Sequence, residues 1–157
     1  MFVAQTIRIL SVGKAHDPLF AGAIAEYQKR LSPYVKISWE LIAPKPEATR
    51  SLGVASESQR IIKSLKEAEY VILLDETGKH ATSPEFSSTL FGALETHKYV
   101  CIIIGGAFGV DESVRKRANY TLSFGSMVFP HQLVRLMLIE QLYRAASIRI
   151  GNGYHHD

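Results

Sequence analysis

The sequence predicts an α/β fold with a mainly parallel sheet flanked by helices. Segments rich in β-branched and other apolar residues alternate with segments of helical periodicity along the 157 residues. Two segments, residues 70–74 and 99–104, are apolar without interruption, which is typical of strands covered on both faces. The chain shows no internal repeat and no linker, so we expect a single domain over residues 1–157.

The first two strands flank a helix with a clear start. A β-rich segment at residues 6–12 ends at Gly13 and predicts the first strand. The helix that follows can use Asp17 as its N-cap and Pro18 at its first position, and its apolar residues recur with helical spacing. Alternating polarity over residues 35–42 predicts the second strand.

The remaining elements follow the same alternation. Two prolines and several charges predict a loop over residues 43–53. The buried strand at 70–74 is expected to end in a turn at 75–79, and Ser83-Pro84 begins the next helix. The other predicted elements are a helix at 56–68, a strand at 99–104, a short helix at 111–119, a strand at 120–124 and a long helix at 130–148.

The composition indicates an ordinary globular protein of a reducing cytoplasm. Hydrophobic residues make up 46% of the chain, and its formal net charge of +3 permits an anionic partner such as RNA without requiring one. Cys101 is the only cysteine, and its apolar neighbours predict an inert buried thiol. No apolar run reaches the roughly 18 residues that span a bilayer. We expect neither a membrane nor a metal partner.

Three turns are expected at the carboxyl edge of the sheet, where parallel α/β sheets bind ligands. They lie at residues 75–79, 105–110 and 124–129. The second turn carries a GGxxG pattern, but it lacks both the dinucleotide spacing with its acidic residue and the G-K-[ST] of a P-loop. A tight turn between a buried strand and a helix explains these glycines equally well.

The third turn precedes an unusual helix. Residues 125–129 are small or apolar, so their backbone amides are available to a ligand such as adenine. Residues 133–139 are apolar on nearly every side, which indicates deep core or a subunit interface. Arg135 is the exception. Because an unpaired buried charge is costly, we expect a carboxylate, a phosphate or a partner subunit beside it.

Four segments resemble the RlmH family of SPOUT methyltransferases: LLDETGK, IIIGGAFG, LSFGSMVFPHQLVRLMLIEQLYRA and the terminal YHH. The similarity covers essentially the whole chain, and FPHQLVR…EQLYRA is its most specific part. The resemblance implies an α/β knot and a homodimer. It also implies transfer of a methyl group from S-adenosylmethionine to N3 of pseudouridine 1915 of 23S rRNA, in the assembled large subunit or 70S ribosome.

The resemblance also places the cofactor contacts on all three turns. They fall on Leu74, on Gly105, and on the segment before the long helix. That segment comprises Phe124, Gly125, Ser126, Met127, Val128 and Phe129.

The catalytic candidates are Tyr154, His155, His131 and Arg135. The resemblance favours His155 as general base or proton relay, with Tyr154 stacking on the target base or hydrogen-bonding to it. The alternatives are a solvated tail, a capping or core role for His131, and an interface ion pair for Arg135. Glu140 and Arg144 are spaced i, i+4 and predict a structural salt bridge.

Two positions depart from the family pattern. Ser58 follows Glu57 where a glycine is usual, and His156 stands where a basic residue usually follows the Tyr-His pair. Candidate phosphate contacts are Arg8, Lys14, Lys79 and Arg149. Three other functions stay open: a SPOUT enzyme acting on another RNA such as tRNA, a non-catalytic RNA- or ribosome-binding protein, and a flavodoxin-like binder of small molecules.

Overall fold

Five parallel strands form one sheet in the computed structural model, which describes residues 5–156. Residues 1–4 and 157 of the predicted domain lie outside the described residues. The strands are β1 (Thr6–Val12), β2 (Lys36–Ile42), β3 (Glu69–His80), β4 (Tyr99–Ile104) and β5 (Tyr120–Ser123), and the helices are α1 (Pro18–Leu31), α2 (Arg50–Ser64), α3 (Ser83–Thr96), α4 (Glu112–Arg117) and α5 (His131–Ile150). The spatial order is β2-β1-β4-β3-β5, which confirms the predicted fold class.

Helices cover both faces of the sheet. Helices α1, α3 and α5 share one core with alternate strand residues such as Ile9 and Ile102. Helices α2 and α4 share a second core with the intervening residues, such as Leu10 and Ile103. All four of these strand residues are fully buried. The strands are therefore apolar on both sides because their successive side chains enter two different cores.

Helix α2 differs from its prediction at both ends. It begins at Arg50 and ends at Ser64, whereas the sequence predicts residues 56–68. The earlier start arises because the Thr49 hydroxyl accepts a hydrogen bond from the Leu52 amide at 3.2 Å and caps the first turn. Residues 50–53, the last four of the expected loop, are therefore helical.

The turn predicted at residues 75–79 lies inside β3. This strand pairs with β5 up to Leu74, changes register, and pairs again at Lys79 and His80. Gly78 permits this irregularity, since a Cβ there would lie 2.7 Å from the main chain of Thr121.

The sheet has its topological switch point between β1 and β4. The chain leaves β1 for α1 on one face, whereas it leaves β4 for α4 on the other face. Such an arrangement opens a crevice at the carboxyl ends of the two strands, where α/β proteins commonly bind ligands. Among residues 5–156, no helix is long and apolar enough to span a bilayer.

Candidate functional site

A cavity of about 320 Å³ lies where β3, β4 and β5 end, and we call it the strand-end cavity. It brings together residues that are distant in sequence, from Leu74 through Gly105 to the segment after β5. Of the predicted cofactor residues, all but Ser126 line it: Leu74, Gly105, Phe124, Gly125, Met127, Val128 and Phe129.

The walls of the strand-end cavity suit an adenosyl group. Leu74, Ile104, Leu122 and Val134 contribute apolar surface. Within the described residues, the amides at positions 126–128 donate no hydrogen bond to another main-chain group, so they can meet the polar edge of a base. S-adenosylmethionine, which combines adenine, ribose and a methionine chain, fits this combination of surfaces.

A charged pair borders the same cavity. Arg115 Nη2 donates to Asp75 Oδ2 at 3.3 Å, and the Asp75 side chain is only 7% exposed. Arg115 Nε is buried and has no hydrogen-bond partner among the described residues, so it can donate to an anionic group such as the carboxylate of a methionine chain. Sequence reasoning missed both residues. Asp75 does follow the buried run 70–74 directly, and that position was the available signal.

The C-terminal tail is docked on α5 rather than solvated. The Tyr154 hydroxyl donates to Glu140 Oε1 at 3.1 Å, and its ring lies 4.7 Å from that of Tyr143. The predicted i, i+4 bridge is confirmed, since Arg144 Nη2 donates to the same Glu140 oxygen at 2.6 Å. Arg144 also bonds the tail directly, with Nη1 3.2 Å from His155 Nδ1.

The surroundings keep the Tyr154 phenol protonated. Burial is the main cause that raises the pKa of Tyr154, and hydrogen bonding to Tyr27 and the charge of Glu140 add to it. The Tyr27 and Tyr154 hydroxyl oxygens are 3.3 Å apart. Tyr154 is therefore a hydrogen-bond donor and not a base at neutral pH.

The tail borders a different cavity from the cofactor residues. A groove of about 600 Å³, the helix groove, lies between α1, α3 and α5 and includes Tyr27 and Glu140 from the tail cluster. Its floor at residues 122–125 is shared with the strand-end cavity. Neither Tyr154 nor His155 lines the strand-end cavity.

Arg135 is fully buried, and of the three partners expected from the sequence, a carboxylate is not found beside it among the described residues. Its Nε donates to Ser11 Oγ at 2.9 Å and its Nη1 to the Lys14 carbonyl at 2.8 Å. The end of β1 and the turn after it therefore provide neutral hydrogen-bond acceptors for the guanidinium.

His131 begins α5 and lines a third cavity, of about 580 Å³, at the crevice between β1 and β4. We call this the crevice cavity. Burial lowers the pKa of His131, and the charge of Arg135 lowers it further. The same two causes lower the pKa of His16, whose Nδ1 is 3.3 Å from Arg135 Nη1. Both imidazoles are thus held neutral near one cation.

Two of the candidate phosphate contacts are ion-paired. Arg8 binds Glu40 and both oxygens of Glu69 at the amino edge of the sheet, opposite the cavities. Arg149 pairs with Glu95 on the surface. Lys14 and Lys79 are exposed and have no such pair among the described residues. Cys101 is buried, and its surroundings raise its pKa to about 12, in agreement with an inert thiol.

Ser58, which stands where a glycine is usual in the family pattern, makes a structural contact. Its side chain is fully buried, and its hydroxyl accepts a hydrogen bond from the Asp111 amide at 2.9 Å. Asp111 is the N-cap of α4, so Ser58 ties α2 to the start of that helix.

Comparisons with known proteins agree with this geometry. The sequence profile of the family described as "Predicted SPOUT methyltransferase" matches residues 5–155. Relatives named ribosomal RNA large subunit methyltransferase H include one from Desulfitobacterium hafniense (strain Y51), which is 44% identical, with 95% of this chain and 98% of that protein covered. Another, from Lactobacillus delbrueckii subsp. bulgaricus (strain ATCC BAA-365 / Lb-18), is 42% identical, with 96% and 99% covered. A relative from Dictyoglomus thermophilum is 34% identical, with 97% and 100% covered.

A solved structure also shares the fold. It is described as a probable methylase family protein from Haemophilus influenzae Rd KW20, and it matches with a TM-score of 0.55 over 98% of this chain and 70% of that chain. At 12% sequence identity this likeness supports the fold alone. The family profile and the relatives each cover nearly the whole chain, and the chain therefore belongs to the SPOUT methyltransferase family, alongside its RlmH relatives.

Proposed function

We propose that this protein methylates N3 of pseudouridine 1915 in 23S rRNA of the assembled large subunit or 70S ribosome, with S-adenosylmethionine as methyl donor. The names of its relatives support rRNA as the substrate. The observation that supports the proposal most strongly is that Leu74, Gly105 and residues 124–125 and 127–129 all line one cavity. We also propose that the segment after β5 forms the knot of the family, and that the enzyme works in the cytoplasm.

The cofactor residues would bind and orient the donor. S-adenosylmethionine, when bound, supplies an electrophilic methyl group on a sulfonium. The free amides at 126–128 would meet its adenine, and Arg115, held by Asp75, would meet its carboxylate. The apolar walls would exclude water from these contacts and so strengthen them.

The tail would handle the proton on N3 of the target base. That nitrogen must lose its proton before or during methyl transfer, and a general base typically contributes about 10²- to 10⁴-fold to the rate. We assign this role to His155, whose ring is held by Arg144. Tyr154, kept protonated, would donate a hydrogen bond to a base oxygen or fix the tail through Glu140. His131 and Arg135 are then positioning residues.

We propose that the enzyme is a homodimer joined through the helix groove. Leu133, Leu136 and Met137 of α5 line this groove and are only partly buried in one protomer. Within a protomer neither Tyr154 nor His155 lines the strand-end cavity. A partner subunit covering the groove would bury the apolar face and place a tail beside a cofactor that the other subunit holds.

Removing the tail tests this function. A chain ending at Gly153 lacks Tyr154 and His155, which do not line the strand-end cavity, so it should bind S-adenosylmethionine with nearly unchanged affinity in calorimetry. Its methyl transfer to ribosomes from a strain lacking the gene should fall at least about 10²-fold. Mass mapping of 23S rRNA identifies the modified nucleotide.

The matched control is His156→Gln in the full chain, since His156 is exposed and adjoins the deleted residues. Unchanged turnover by the truncated chain would refute the role of the tail. Transfer by the full chain to tRNA but not to ribosomes would refute the proposed substrate, and failure to bind S-adenosylmethionine would favour a non-catalytic RNA-binding protein.

A further inference from the structure

The crevice cavity is a second built site, separate from the tail and from most of the strand-end cavity. It lies at the topological switch point, between the turn after β1 at Gly13 and Lys14 and the glycine loop after β4. The loop between β2 and α2 forms its outer wall. Gly106, Ala107 and Phe108 line both this cavity and the strand-end cavity, so only the glycine loop separates the two.

Cations dominate the rim of the crevice cavity. Lys14, Lys45 and Arg50 line it and are exposed, against one exposed carboxylate, Glu47. The other carboxyl, Glu57, is half-buried, and burial raises its pKa although Arg60 opposes the shift. The rim therefore attracts an anion.

A buried cation without a counter-ion lies behind the wall of this cavity. Arg135 Nη2 is buried and has no hydrogen-bond partner among the described residues. It lies 2.9 Å from the point where a Cβ on Gly13 would stand, and His131 Nε2 lies 3.1 Å from the same point. Gly13 has φ +132°, a conformation that other residues rarely adopt. The absence of a Cβ at Gly13 thus lets both nitrogens lie close to the turn that lines the cavity, and a bound anion would offset the charge of Arg135.

The cavity also offers a stacking surface. The Phe108 ring is 58% exposed, and the Arg50 guanidinium carbon lies 3.8 Å from its centroid. Unpaired nucleobases stack on aromatic rings and on guanidinium planes. A basic rim, a buried unpaired arginine and an exposed aromatic ring together match the phosphate and the base of one nucleotide.

We propose that the crevice cavity binds one unpaired nucleotide of the RNA substrate, with its phosphate at Lys14, Lys45 and the Gly13 turn and its base against Phe108. This inference rests on the proposed function, because it assigns a subsite to the RNA on which the enzyme acts. The subsite binds the RNA on one side of the glycine loop, and the methyl donor binds on the other side. The subsite takes no part in methyl transfer itself. Its loss therefore affects substrate binding and not the chemical step.

A charge-matched pair of double variants tests the subsite. K14Q/K45Q removes two cations from the crevice cavity, and the control K36Q/K63Q removes two exposed lysines from the opposite edge of the sheet. Binding to fluorescently labelled ribosomes from a strain lacking the gene is measured over a salt series. For K14Q/K45Q the slope of log Kd against log salt should fall by about two relative to wild type, as expected for two lost phosphate contacts.

Turnover and cofactor binding provide the second readout. K14Q/K45Q should raise KM for ribosomal substrate several-fold, with kcat and the S-adenosylmethionine Kd unchanged, whereas K36Q/K63Q should match wild type in all three. A photo-crosslinking residue at Ala48, which lines the cavity, should capture RNA, and the same residue at Lys36 should not.

Equal salt slopes for the two double variants, or crosslinking from position 36 but not 48, would overturn the subsite. A wild-type enzyme that binds RNA but transfers no methyl group would instead overturn the proposed function. The two failures are distinguishable because RNA binding and crosslinking are measured without turnover.

Discussion

Two arginines at opposite edges of the sheet, Arg8 partly buried and Arg135 fully buried, have different surroundings. Arg8 enters from β1 at the amino edge and meets Glu69, whose side chain is 1% exposed, together with Glu40. Arg135 enters from α5 at the carboxyl edge, is fully buried, and meets only neutral groups among the described residues. The charge of Arg8 is balanced by the protein, whereas that of Arg135 is not.

This difference indicates that the charge of Arg8 has a structural role and that the charge of Arg135 has a functional one. A paired and hydrogen-bonded ion holds strands together and leaves little field for a ligand. An unpaired cation destabilises the empty protein and favours an anionic ligand nearby, and it is found at the edge where α/β sheets bind ligands. We therefore expect Arg8 to matter mainly for stability and Arg135 mainly for function.

The largest effect on stability is expected at the paired site. Arg8→Met leaves Glu69 buried without its guanidinium partner and should lower the free energy of unfolding by about 3–5 kcal/mol. Urea unfolding at fixed protein concentration measures this loss. The control is Glu95→Gln in the exposed pair with Arg149, which should change stability by less than about 1 kcal/mol. Similar values for the two variants would contradict the structural role of Arg8.

A smaller loss is expected at the unpaired site. Arg135→Met removes the uncompensated charge but leaves the Ser11 hydroxyl and the Lys14 carbonyl without this donor, so unfolding should become easier by about 1–3 kcal/mol. RNA affinity should nevertheless fall, whereas folded Arg8→Met should bind RNA like wild type. An Arg135→Met protein that keeps full RNA affinity would contradict the functional role expected for Arg135.

The smallest effect is a pH dependence of stability between about pH 7 and 5.5, which we expect from the histidines at the unpaired site. The pKa of His16 and of His131 lies below the usual histidine value of about 6.5, so the unfolded chain binds more protons than the folded chain below that pH. Stability should be complete above about pH 7 and decrease as the pH falls towards 5.5. His131→Gln should flatten this slope by at most about 1.4 kcal/mol per pH unit, whereas His156→Gln should not.

The paired site responds in a lower pH range. Burial opposes ionisation of Glu69, but hydrogen bonds from Arg8 and the Lys66 amide outweigh it and lower the pKa of this carboxyl. Its stabilisation is present above the unfolded pKa of about 4.5 and is lost as the pH falls through the folded value. For His131, the contrary outcome is a free energy of unfolding that depends on pH between 7.5 and 5.5 in the same way in His131→Gln as in wild type. That result would show that His131 does not cause the dependence.

Local sequence signals located most of the fold. The Asp17-Pro18 pair marks the start of α1, and the apolar runs at 70–74 and 99–104 mark the two central strands, because capping and burial depend on neighbouring residues. The extension of β3 to His80 was missed, since it depends on pairing with β5, about 40 residues later in the chain. The early start of α2 was missed because the prolines before it suggested a longer loop.

The sequence by itself determined the alternation of strands and helices, because periodicity and capping are local. Its motifs indicated the family, and that resemblance named the predicted cofactor residues, most of which line the strand-end cavity, but it did not name Asp75 or Arg115.

The spacing of Glu140 and Arg144 predicted their ion pair, but only the tertiary structure decided which charges distant in sequence are paired. Arg8 and Arg135 look alike in the sequence, yet one meets a carboxylate about 60 residues away and the other meets a turn more than 120 residues away. The energy of a charge depends on what surrounds it in space, and that is set by the packing of distant segments.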